Sequence, residues 1–212
     1  MEKRMKIIPS IASADQLSIR EEILRLGSWK KLHIDIEDGN FVPNITFGEK
    51  TVRGIADIFP QELDAHLMTE CPEQYLKLLQ ECRVKSVAVH LETVRYPLTI
   101  LNHIMDRGMR PALALNISTP AEAVMPFAER IDYVIVMTAE PDGRGQRFYP
   151  PMLDKIRSLR DFLPPQVAIW VDGGINEANL VQIAAAGADT VVMGRCVFGC
   201  EDPFKLLVRL SI

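Results

Sequence analysis

The chain has 212 residues and a formal net charge of -4, with 48% hydrophobic and 25% charged residues. These values are ordinary for a globular protein of one domain, or at most two small ones. The mild acidity disfavours a nucleic-acid-binding protein, which usually carries a basic face. No apolar run is long enough to span a bilayer, and Pro9 and Ser10 interrupt the apolar stretch near the N-terminus. We therefore expect no membrane segment, no signal peptide and a cytoplasmic location.

Short apolar runs rich in Val and Ile recur along the chain and predict eight strands. They lie at 6–12, 31–36, 62–67, 86–91, 111–116, 132–138, 167–172 and 189–194. Amphipathic stretches between and after them predict eight helices. These are expected near 15–26, 48–58, 72–82, 97–108, 120–128, 150–162, 176–186 and 202–211.

The alternation of strands and helices predicts an α/β fold with a parallel sheet. Eight units of roughly 25 residues each predict a single (β/α)8 barrel, or TIM barrel, over residues 1–212. The alternative is a doubly wound open sheet, which usually has a glycine-rich phosphate fingerprint after its first strand. Residues 10–14 lack that fingerprint, so the barrel is favoured.

Titratable side chains share one face of the second and third predicted strands. His33, Asp35 and Glu37 alternate with apolar residues, and Asp64 and His66 repeat the arrangement on the next strand. The apolar face is expected to pack against helices, which leaves the titratable face inside the barrel. Such groups are costly there without a metal, a partner or a ligand.

A metal site is one explanation for this pattern. Asp172, at the end of the seventh predicted strand, adds a further carboxylate to these side chains. His33, Asp35, His66 and Asp172 form a mixed nitrogen and oxygen ligand set. That set suits Zn²⁺, Fe²⁺, Co²⁺ or Mn²⁺. The alternative is that each histidine is a hydrogen-bonded core residue, which would be the better interpretation for one isolated histidine.

Other potential ligands give weaker signals. For Asp64, and for His90 at the end of the fourth strand, support of a metal ligand and an ordinary core role both stay open. His103 lies in a predicted helix and is expected to be exposed. The four cysteines are predicted to be reduced and mostly buried. Cys196 and Cys200 are poor metal candidates because no second Cys or His pair accompanies them.

Glycines mark the ends of the last three strands. The loop at 139–148 reads AEPDGRGQRF, Gly173 and Gly174 follow strand seven, and Gly194 and Arg195 follow strand eight. Phosphate sites in barrels are frequently built from the loops after strands seven and eight, where backbone N–H groups are accessible. The pattern predicts a phosphate-binding site.

Eight segments at these strand ends match a known pattern in order and spacing. They are IIPSIASAD (7–15), HIDIEDGNFVPNITFG (33–48), LDAHLM (63–68), VHLET (89–93), LNISTP (115–120), VMTAEPDGRGQRF (136–148), VDGGIN (171–176) and MGRCVFG (193–199). Through them the chain resembles the ribulose-phosphate 3-epimerase family over essentially its whole length.

The resemblance implies an enzyme that inverts the carbon next to the ketone of a small phosphorylated ketose, through an enediolate. The implied metal ligands are His33, Asp35, His66 and Asp172, with Zn²⁺ as the preferred ion. Asp35 and Asp172 would also be the two acid/base groups, because one carboxylate cannot reach both faces of a carbon. Ser10 and His66 would contact the sugar. The implied phosphate contacts are Asp142, Gly143, Arg144, Gly145, Gly173, Gly174, Gly194 and Arg195. The resemblance also implies a homo-oligomer.

Several residues depart from the family pattern. Glu37 stands where Met is usual, and Arg195 stands where a small Ser is usual. The phosphate loop reads PDGRGQ at 141–146 instead of a PGFGGQ-type run, and Trp170 replaces a residue that is often acidic. The candidate specificity residues are Glu37, Met68 and Met137. These departures indicate a diverged branch whose substrate is not fixed by the resemblance.

Three functions are therefore compared. The leading one is 3-epimerisation of a pentulose 5-phosphate, of the ribulose/xylulose type, with a hexulose 6-phosphate of the allulose type as the alternative substrate. A barrel decarboxylase would typically carry a D-x-K-x-x-D run, whereas residues 35–38 contain no lysine. A non-catalytic sugar-phosphate-binding protein would have no need of both aspartates.

Overall fold

The computed structural model describes residues 5–141 and 145–211, in which eight strands form one parallel sheet. They are β1 (Lys6–Pro9), β2 (Lys31–Glu37), β3 (Glu62–Met68), β4 (Ser86–His90), β5 (Arg110–Leu115), β6 (Tyr133–Met137), β7 (Ala168–Asp172) and β8 (Thr190–Met193). Their order is β1-β8-β7-β6-β5-β4-β3-β2. A parallel bridge between Ser10 and His33 joins the two ends of the sheet, so that the barrel nearly closes. The predicted (β/α)8 barrel is confirmed.

Helices follow the strands around the outside of the barrel. They are α1 (Ile19–Arg25), α2 (Glu49–Ile58), α3 (Leu76–Glu81), α4 (Pro97–Asp106), α5 (Met152–Phe162), α6 (Glu177–Ala185), α7 (Arg195–Phe198) and α8 (Pro203–Leu210). Asn176 caps α6 by accepting a hydrogen bond from the backbone N–H of Ala178. Across residues 5–141 and 145–211, every helix is too short or too polar to cross a bilayer.

Two predicted helices differ from the observed ones in their type. The predicted helix at 120–128 is a 3₁₀ helix over Ala121–Arg130. Pro126 lies inside it and has no N–H to donate to an α-helical ladder. The predicted helix at 72–82 begins with a 3₁₀ turn over Pro72–Tyr75 and becomes α-helical only at α3.

The start of the chain and the end of β8 also differ from the prediction. The first strand ends at Pro9 and is followed by a 3₁₀ turn over Ile11–Ser13. Helix α1 begins at Ile19, four residues later than expected. The short helix α7 after Gly194 was not predicted, because four residues are too few to show a helical period.

The side chains on the two sides of each strand lie in different environments, because successive side chains point to opposite sides. Leu32, Ile34 and Ile36 of β2 are at most 1% exposed and belong to the core between the barrel and its helices. The barrel interior has a separate apolar cluster. Its members are Ile8, Ala88, Ala112, Ala114, Tyr133, Ile135, Trp170 and Val192.

Two aromatic rings fill much of this interior. Tyr133 and Trp170 stack with their centroids 4.0 Å apart and their planes 21° apart. The small alanines of β4 and β5 leave room for them. Trp170, which the sequence grouped with the departures around the site, therefore packs in the barrel interior two residues before Asp172.

Two smaller expectations have opposite outcomes. His103 is exposed on α4, as predicted. The prediction that the cysteines are mostly buried is wrong, since only Cys82 is buried, Cys71 is exposed, and Cys196 and Cys200 are partly exposed. The last two follow β8 on and just after α7, which lies at the surface of the barrel.

Candidate active site

A polar cleft opens at the carboxyl ends of the strands, where barrel chemistry is expected. Its floor contains Ser10 of the β1 end, Asp35 and Glu37 of β2, and Asp172 of β7. The parallel register brings these ends together, because β2 pairs with β3, and β7 pairs with both β6 and β8. The predicted catalytic aspartates thus share one cleft.

Two imidazoles and two carboxylates converge at the base of this cleft. One ligand atom from each of His33, Asp35, His66 and Asp172 lies within 4.8 Å of every other. Nε2 of His33 is 3.1 Å from Oδ1 of Asp35, and Nδ1 of His66 is 3.4 Å from the same oxygen and 3.6 Å from Oδ2 of Asp172. Donor atoms about 2.1 Å from a tetrahedral Zn²⁺ ion are themselves separated by roughly 3.4 Å. The spacing of the four groups therefore fits a single divalent cation.

Nδ1 of His66 supplies independent support for this fit. It is buried and has no hydrogen-bond partner among the described residues. An unpaired buried nitrogen is costly, and most such atoms have a partner. A cation bound between His66, Asp35 and Asp172 would satisfy it.

The charges of the cluster depend strongly on one another. Burial opposes a charge on His33, but the carboxylates of Asp35 and Asp64 outweigh it and raise its pKa well above the usual value. Burial likewise opposes a charge on His66, whose pKa is nevertheless raised by Asp172 and Asp35. Burial works against ionisation of Asp35 as well, but the two histidines lower its pKa. In the protein without a cation, the carboxylates thus favour protonation of both imidazoles.

Three of the four metal-ligand candidates, His33, Asp35 and His66, also contact a side chain outside this set of four. Nδ1 of His33 donates to Oδ1 of Asp64, which leaves Nε2 directed at the cluster. The hydroxyl of Ser10 donates to Oδ2 of Asp35, which leaves Oδ1 directed at the cluster. Nε2 of His66 lies 2.9 Å from Nε2 of His90. Asp64 and His90, whose roles the sequence left open, thus each contact one of the two imidazoles of the candidate metal site.

Glu37 adds a third carboxylate to the cleft. It is 7% exposed, and its Oε2 accepts a hydrogen bond from Nδ2 of Asn44. Burial and the negative charge of Asp35 raise the pKa of Glu37 to about 7. Met68 and Met137 line the same cleft. The three candidate specificity residues thus lie where a substrate would contact them.

Backbone and one guanidinium form the opposite wall of the cleft. Gly173, Gly174, Gly194 and Arg195 all line it. Nη2 of Arg195 donates to the carbonyl oxygen of Gln146 at 2.9 Å, which ties the loop after β6 to the start of α7.

The loop after β6 packs directly on the glycines that follow β7. Gly174 has a φ of +69°, and a Cβ there would lie 2.5 Å from the carbonyl oxygen of Gln146. Gly173 has a φ of +114°, and a Cβ there would lie 2.7 Å from the backbone nitrogen of Ala139. Only glycine fits both positions, because other residues would be strained and would displace the loop. Gly145 belongs to this loop, whereas Asp142, Gly143 and Arg144 lie outside the described residues.

Comparison with known proteins shows the family of this chain. A sequence model of the ribulose-phosphate 3 epimerase family matches residues 6–198. The chain belongs to the ribulose-phosphate 3-epimerase family. The cytoplasmic isoform of ribulose-phosphate 3-epimerase from Oryza sativa subsp. japonica is 36% identical over 97% of this chain and 92% of its own length. The ribulose-phosphate 3-epimerase of Schizosaccharomyces pombe is 34% identical over 97% and 92%.

Solved structures with less similar sequences share the fold alone. Orotidine 5′-phosphate decarboxylase from Pyrococcus horikoshii OT3 superposes with a TM-score of 0.67 at 15% identity, covering 97% of both chains. Phosphoribosyl anthranilate isomerase from Thermus thermophilus gives a TM-score of 0.67 at 16% identity, covering 98% of both chains. The expectation that this protein is an isomerase of the sugar-phosphate epimerase class is confirmed by the family, and not by these folds.

Sequence reasoning missed two members of this epimerase site. Asn44 holds Glu37, and Glu92 holds His90 through a contact of 3.2 Å between Oε2 and Nδ1. Burial lowers the pKa of His90 to about 4, so that its imidazole is neutral at pH 7. The available signal was the H-x-E spacing at 90–92, directly after a strand end. That spacing is too common to be informative without the fold.

Proposed function

We propose that this protein interconverts the C3 epimers of a small ketose phosphate, with ribulose 5-phosphate and xylulose 5-phosphate as the leading pair. The observation that supports this most is the meeting of Asp35 of β2 and Asp172 of β7, from strands that are not neighbours, at one set of buried imidazoles. Inverting a carbon requires proton removal on one face and proton return on the other. Two carboxylates in one cleft provide both.

The chain's own residues supply most of the machinery. Asp35 and Asp172 exchange the C3 proton on the two faces, and Ser10 holds Oδ2 of Asp35 in place. Ser10 and His66 are also proposed to contact the sugar. His33, Asp35, His66 and Asp172 would hold a divalent cation, for which we propose Zn²⁺, with Fe²⁺, Co²⁺ and Mn²⁺ as alternatives. When bound, such a cation acts as a Lewis acid that stabilises negative charge on substrate oxygen.

The phosphate group is proposed to lie at the glycine wall. Gly173, Gly174 and Gly194 leave backbone close to the cleft, and Arg195 adds a positive charge there. Gly145, which lies beside the guanidinium of Arg195, is proposed to contact the phosphate as well. Asp142, Gly143 and Arg144 complete the proposed phosphate loop. Glu37, Met68 and Met137 would select among sugars, with a hexulose 6-phosphate such as allulose 6-phosphate as the alternative substrate.

Three further proposals concern the domain organisation, the cellular location and the self-association of the protein. Residues 1–212 would form one domain, since the eight strands share one sheet. A cytoplasmic location follows the name of the rice relative. Self-association is supported by three large apolar side chains that are well exposed, Leu17, Ile45 and Val181, at 98%, 73% and 80%. Sedimentation of the purified protein tests the last point.

Proton NMR in D₂O tests the reaction directly. The Zn²⁺-loaded protein is incubated with ribulose 5-phosphate and, separately, with allulose 6-phosphate. We expect loss of the C3 proton signal together with appearance of the epimer. Asp35→Asn and Asp172→Asn should lose at least a thousandfold in rate while remaining folded. Asp154→Asn, a change on the surface of α5 where the side chain is 83% exposed, is the matched control.

The substrate that exchanges faster identifies the selectivity. Exchange with neither sugar, in folded protein with one metal ion per chain, would overturn both substrate assignments. Full activity of either Asp→Asn variant would overturn the two-carboxylate mechanism.

A further inference from the structure

A chain of three polar side chains, Glu92, His90 and His66, runs from the partly exposed rim of the barrel into the metal-ligand cluster. Glu92 follows β4, and its Oε2 lies 3.2 Å from Nδ1 of His90. Nε2 of His90 lies 2.9 Å from Nε2 of His66. Nδ1 of His66, at the far side of that ring, faces Asp35 and Asp172. Each ring nitrogen of His90 therefore has one polar neighbour, and the same holds for Nε2 of His66.

The outer end of the chain determines where the protons lie. Oε1 of Glu92 accepts hydrogen bonds from the backbone N–H of Asn116 and from the hydroxyl of Thr119. These hydrogen bonds and the contact with His90 lower the pKa of Glu92 to about 2, although partial burial opposes ionisation. The carboxylate is an acceptor only. Nδ1 of His90 must therefore carry a proton and donate it to Glu92.

The proton on Nδ1 of His90 determines the tautomer of His66. With its proton on Nδ1, the ring of His90, which is 1% exposed, has a lone pair on Nε2 and accepts a hydrogen bond there. The group that faces it, Nε2 of His66, must then donate. The remaining nitrogen of His66, Nδ1, is thereby left as the atom with the lone pair for a cation.

The arrangement of the rings agrees with this hydrogen bond. The planes of His66 and His90 are 18° apart, and their centroids are 4.9 Å apart. Rings in face-to-face contact are separated by about 3.5 Å or more, which exceeds the 2.9 Å between the two nitrogens. The rings therefore meet edge to edge, with the N–H of one directed at the lone pair of the other.

We propose that Glu92 and His90 are positioning residues that orient the lone pair of His66 toward the metal. Glu92 sets the tautomer of His90, and His90 sets the tautomer of His66. The inference rests on the proposed metal site, but the Nδ1–H tautomer of His90 follows from the carboxylate of Glu92 with or without the ion. Supporting hydrogen bonds of this kind typically change metal affinity 10- to 100-fold.

Glu92→Gln is the sharpest test because the direction of its effect can be derived. The donors from Asn116 and Thr119 hold the amide oxygen where Oε1 now lies. The amide NH₂ then faces Nδ1 of His90 and donates to it, so His90 must carry its proton on Nε2. That proton faces His66, whose own proton moves to Nδ1. The lone pair of His66 then points away from the cation site.

Nitrogen-15 NMR of histidine-labelled protein measures these tautomers. The chain has only four histidines, and His→Gln variants assign their signals. In the chelator-treated and in the Zn²⁺-loaded wild type, we expect His90 as the Nδ1–H tautomer. In the chelator-treated Glu92→Gln protein, we expect His90 as Nε2–H and His66 with its proton on Nδ1. Thr119→Val is the matched control, since it removes a donor to Glu92 but keeps the carboxylate and should leave both tautomers unchanged.

Zn²⁺ affinity, measured by competition with a chromophoric chelator, is the second readout. Glu92→Gln should weaken binding about 10- to 100-fold, and Thr119→Val less than about threefold. His90→Gln should weaken binding to a similar degree as Glu92→Gln. Glu62→Gln, which removes a carboxylate at the opposite end of the strand that holds His66, controls for general loss of stability.

The outcomes separate this inference from the proposed function. An unchanged His90 tautomer in Glu92→Gln, or unchanged Zn²⁺ affinity in a protein whose wild type binds one ion, would overturn it. A wild type that binds no ion would overturn the proposed metal site. In that case the tautomers alone would still support or overturn the role of Glu92 in orienting the two imidazoles.

Discussion

The hydroxyl of Ser10 donates a hydrogen bond to Oδ2 of Asp35 across the seam between β1 and β2. At this seam the two strands are joined by a single parallel bridge, between Ser10 and His33. The contact therefore holds the carboxylate that we propose to be catalytic at the point where the barrel has the least backbone pairing. It also explains why a serine follows Pro9 at the end of the first strand.

Ser10→Ala should slow turnover more than it weakens metal binding. Hydrogen bonds to charged groups contribute about 1.5–3 kcal/mol, which corresponds to about 10- to 100-fold in rate if the contact is needed in the transition state. The metal would contact the other oxygen of Asp35, so Zn²⁺ affinity should change less. Epimerisation rates and Zn²⁺ titrations of Ser10→Ala and Ser10→Thr measure the two effects. A loss of metal affinity as large as the loss of rate would contradict this separation.

Metal binding should stabilise the wild-type fold. A ligand present at a hundred times its dissociation constant adds about 2.7 kcal/mol, or roughly 5–10 °C in Tm for a chain of this size. His66→Gln should abolish most of this shift because it removes a ligand. His103→Gln, at the exposed histidine of α4, should retain it. Differential scanning calorimetry with and without Zn²⁺ measures these Tm shifts. A Tm shift in His66→Gln equal to that of the wild type would refute the assignment of His66 as a ligand.

Glu37→Met should reduce the discrimination between sugars. The carboxylate of Glu37, held by Asn44, offers an acceptor for a substrate hydroxyl within the cleft. A site built to hydrogen-bond a hydroxyl loses its selectivity when the acceptor is removed. We expect kcat/KM for the preferred ketose phosphate to fall about tenfold more than for the poorer one. Glu37→Gln retains an acceptor and should be intermediate, and an unchanged ratio in Glu37→Met would exclude Glu37 from selection.

The ionisation of Glu92 should be visible as a pH dependence of stability. Its pKa falls from 4.5 to about 2 in the folded protein. A lowered pKa of an acid stabilises the fold above the unfolded-state value, and this stabilisation is lost as the pH falls from about 4.5 toward 2. The side chain is 21% exposed, so we expect only about 1 kcal/mol. Urea unfolding of chelator-treated wild type and Glu92→Gln should therefore differ less at pH 3.5 than at pH 6.

Gly174→Ala should displace the loop after β6. The new Cβ would lie 2.5 Å from the carbonyl oxygen of Gln146, at a φ of +69°. We expect a loss of about 1–3 kcal/mol in stability and a higher KM for the phosphorylated sugar. Gly54→Ala is the control, because Gly54 lies inside α2 with no atom within 4 Å of the new Cβ. Alanine at position 54 should raise the free energy of unfolding by up to about 1 kcal/mol.

The sequence by itself determined the barrel and most of its candidate metal site. Successive side chains of a strand point to opposite sides, so the alternation in β2 predicts that His33 and Asp35 share one face. The same alternation places Leu32 and Ile34 on the other face. Parallel strands bring their carboxyl ends to one edge, which placed Asp172 near His66. These inferences need only local periodicity and the strand order.

Only the tertiary structure decided how the site is supported. The hydrogen bonds from Asn116 and Thr119 to Glu92 depend on where the segments after β4 and β5 meet. The stacking of Trp170 on Tyr133 in the barrel interior likewise depends on the register of β6 against β7. Hydrogen bonds and ring contacts require positions accurate to a few tenths of an ångström. Residue type and spacing fix the face of a strand but not the distance between two side chains, which is set by packing across the whole barrel.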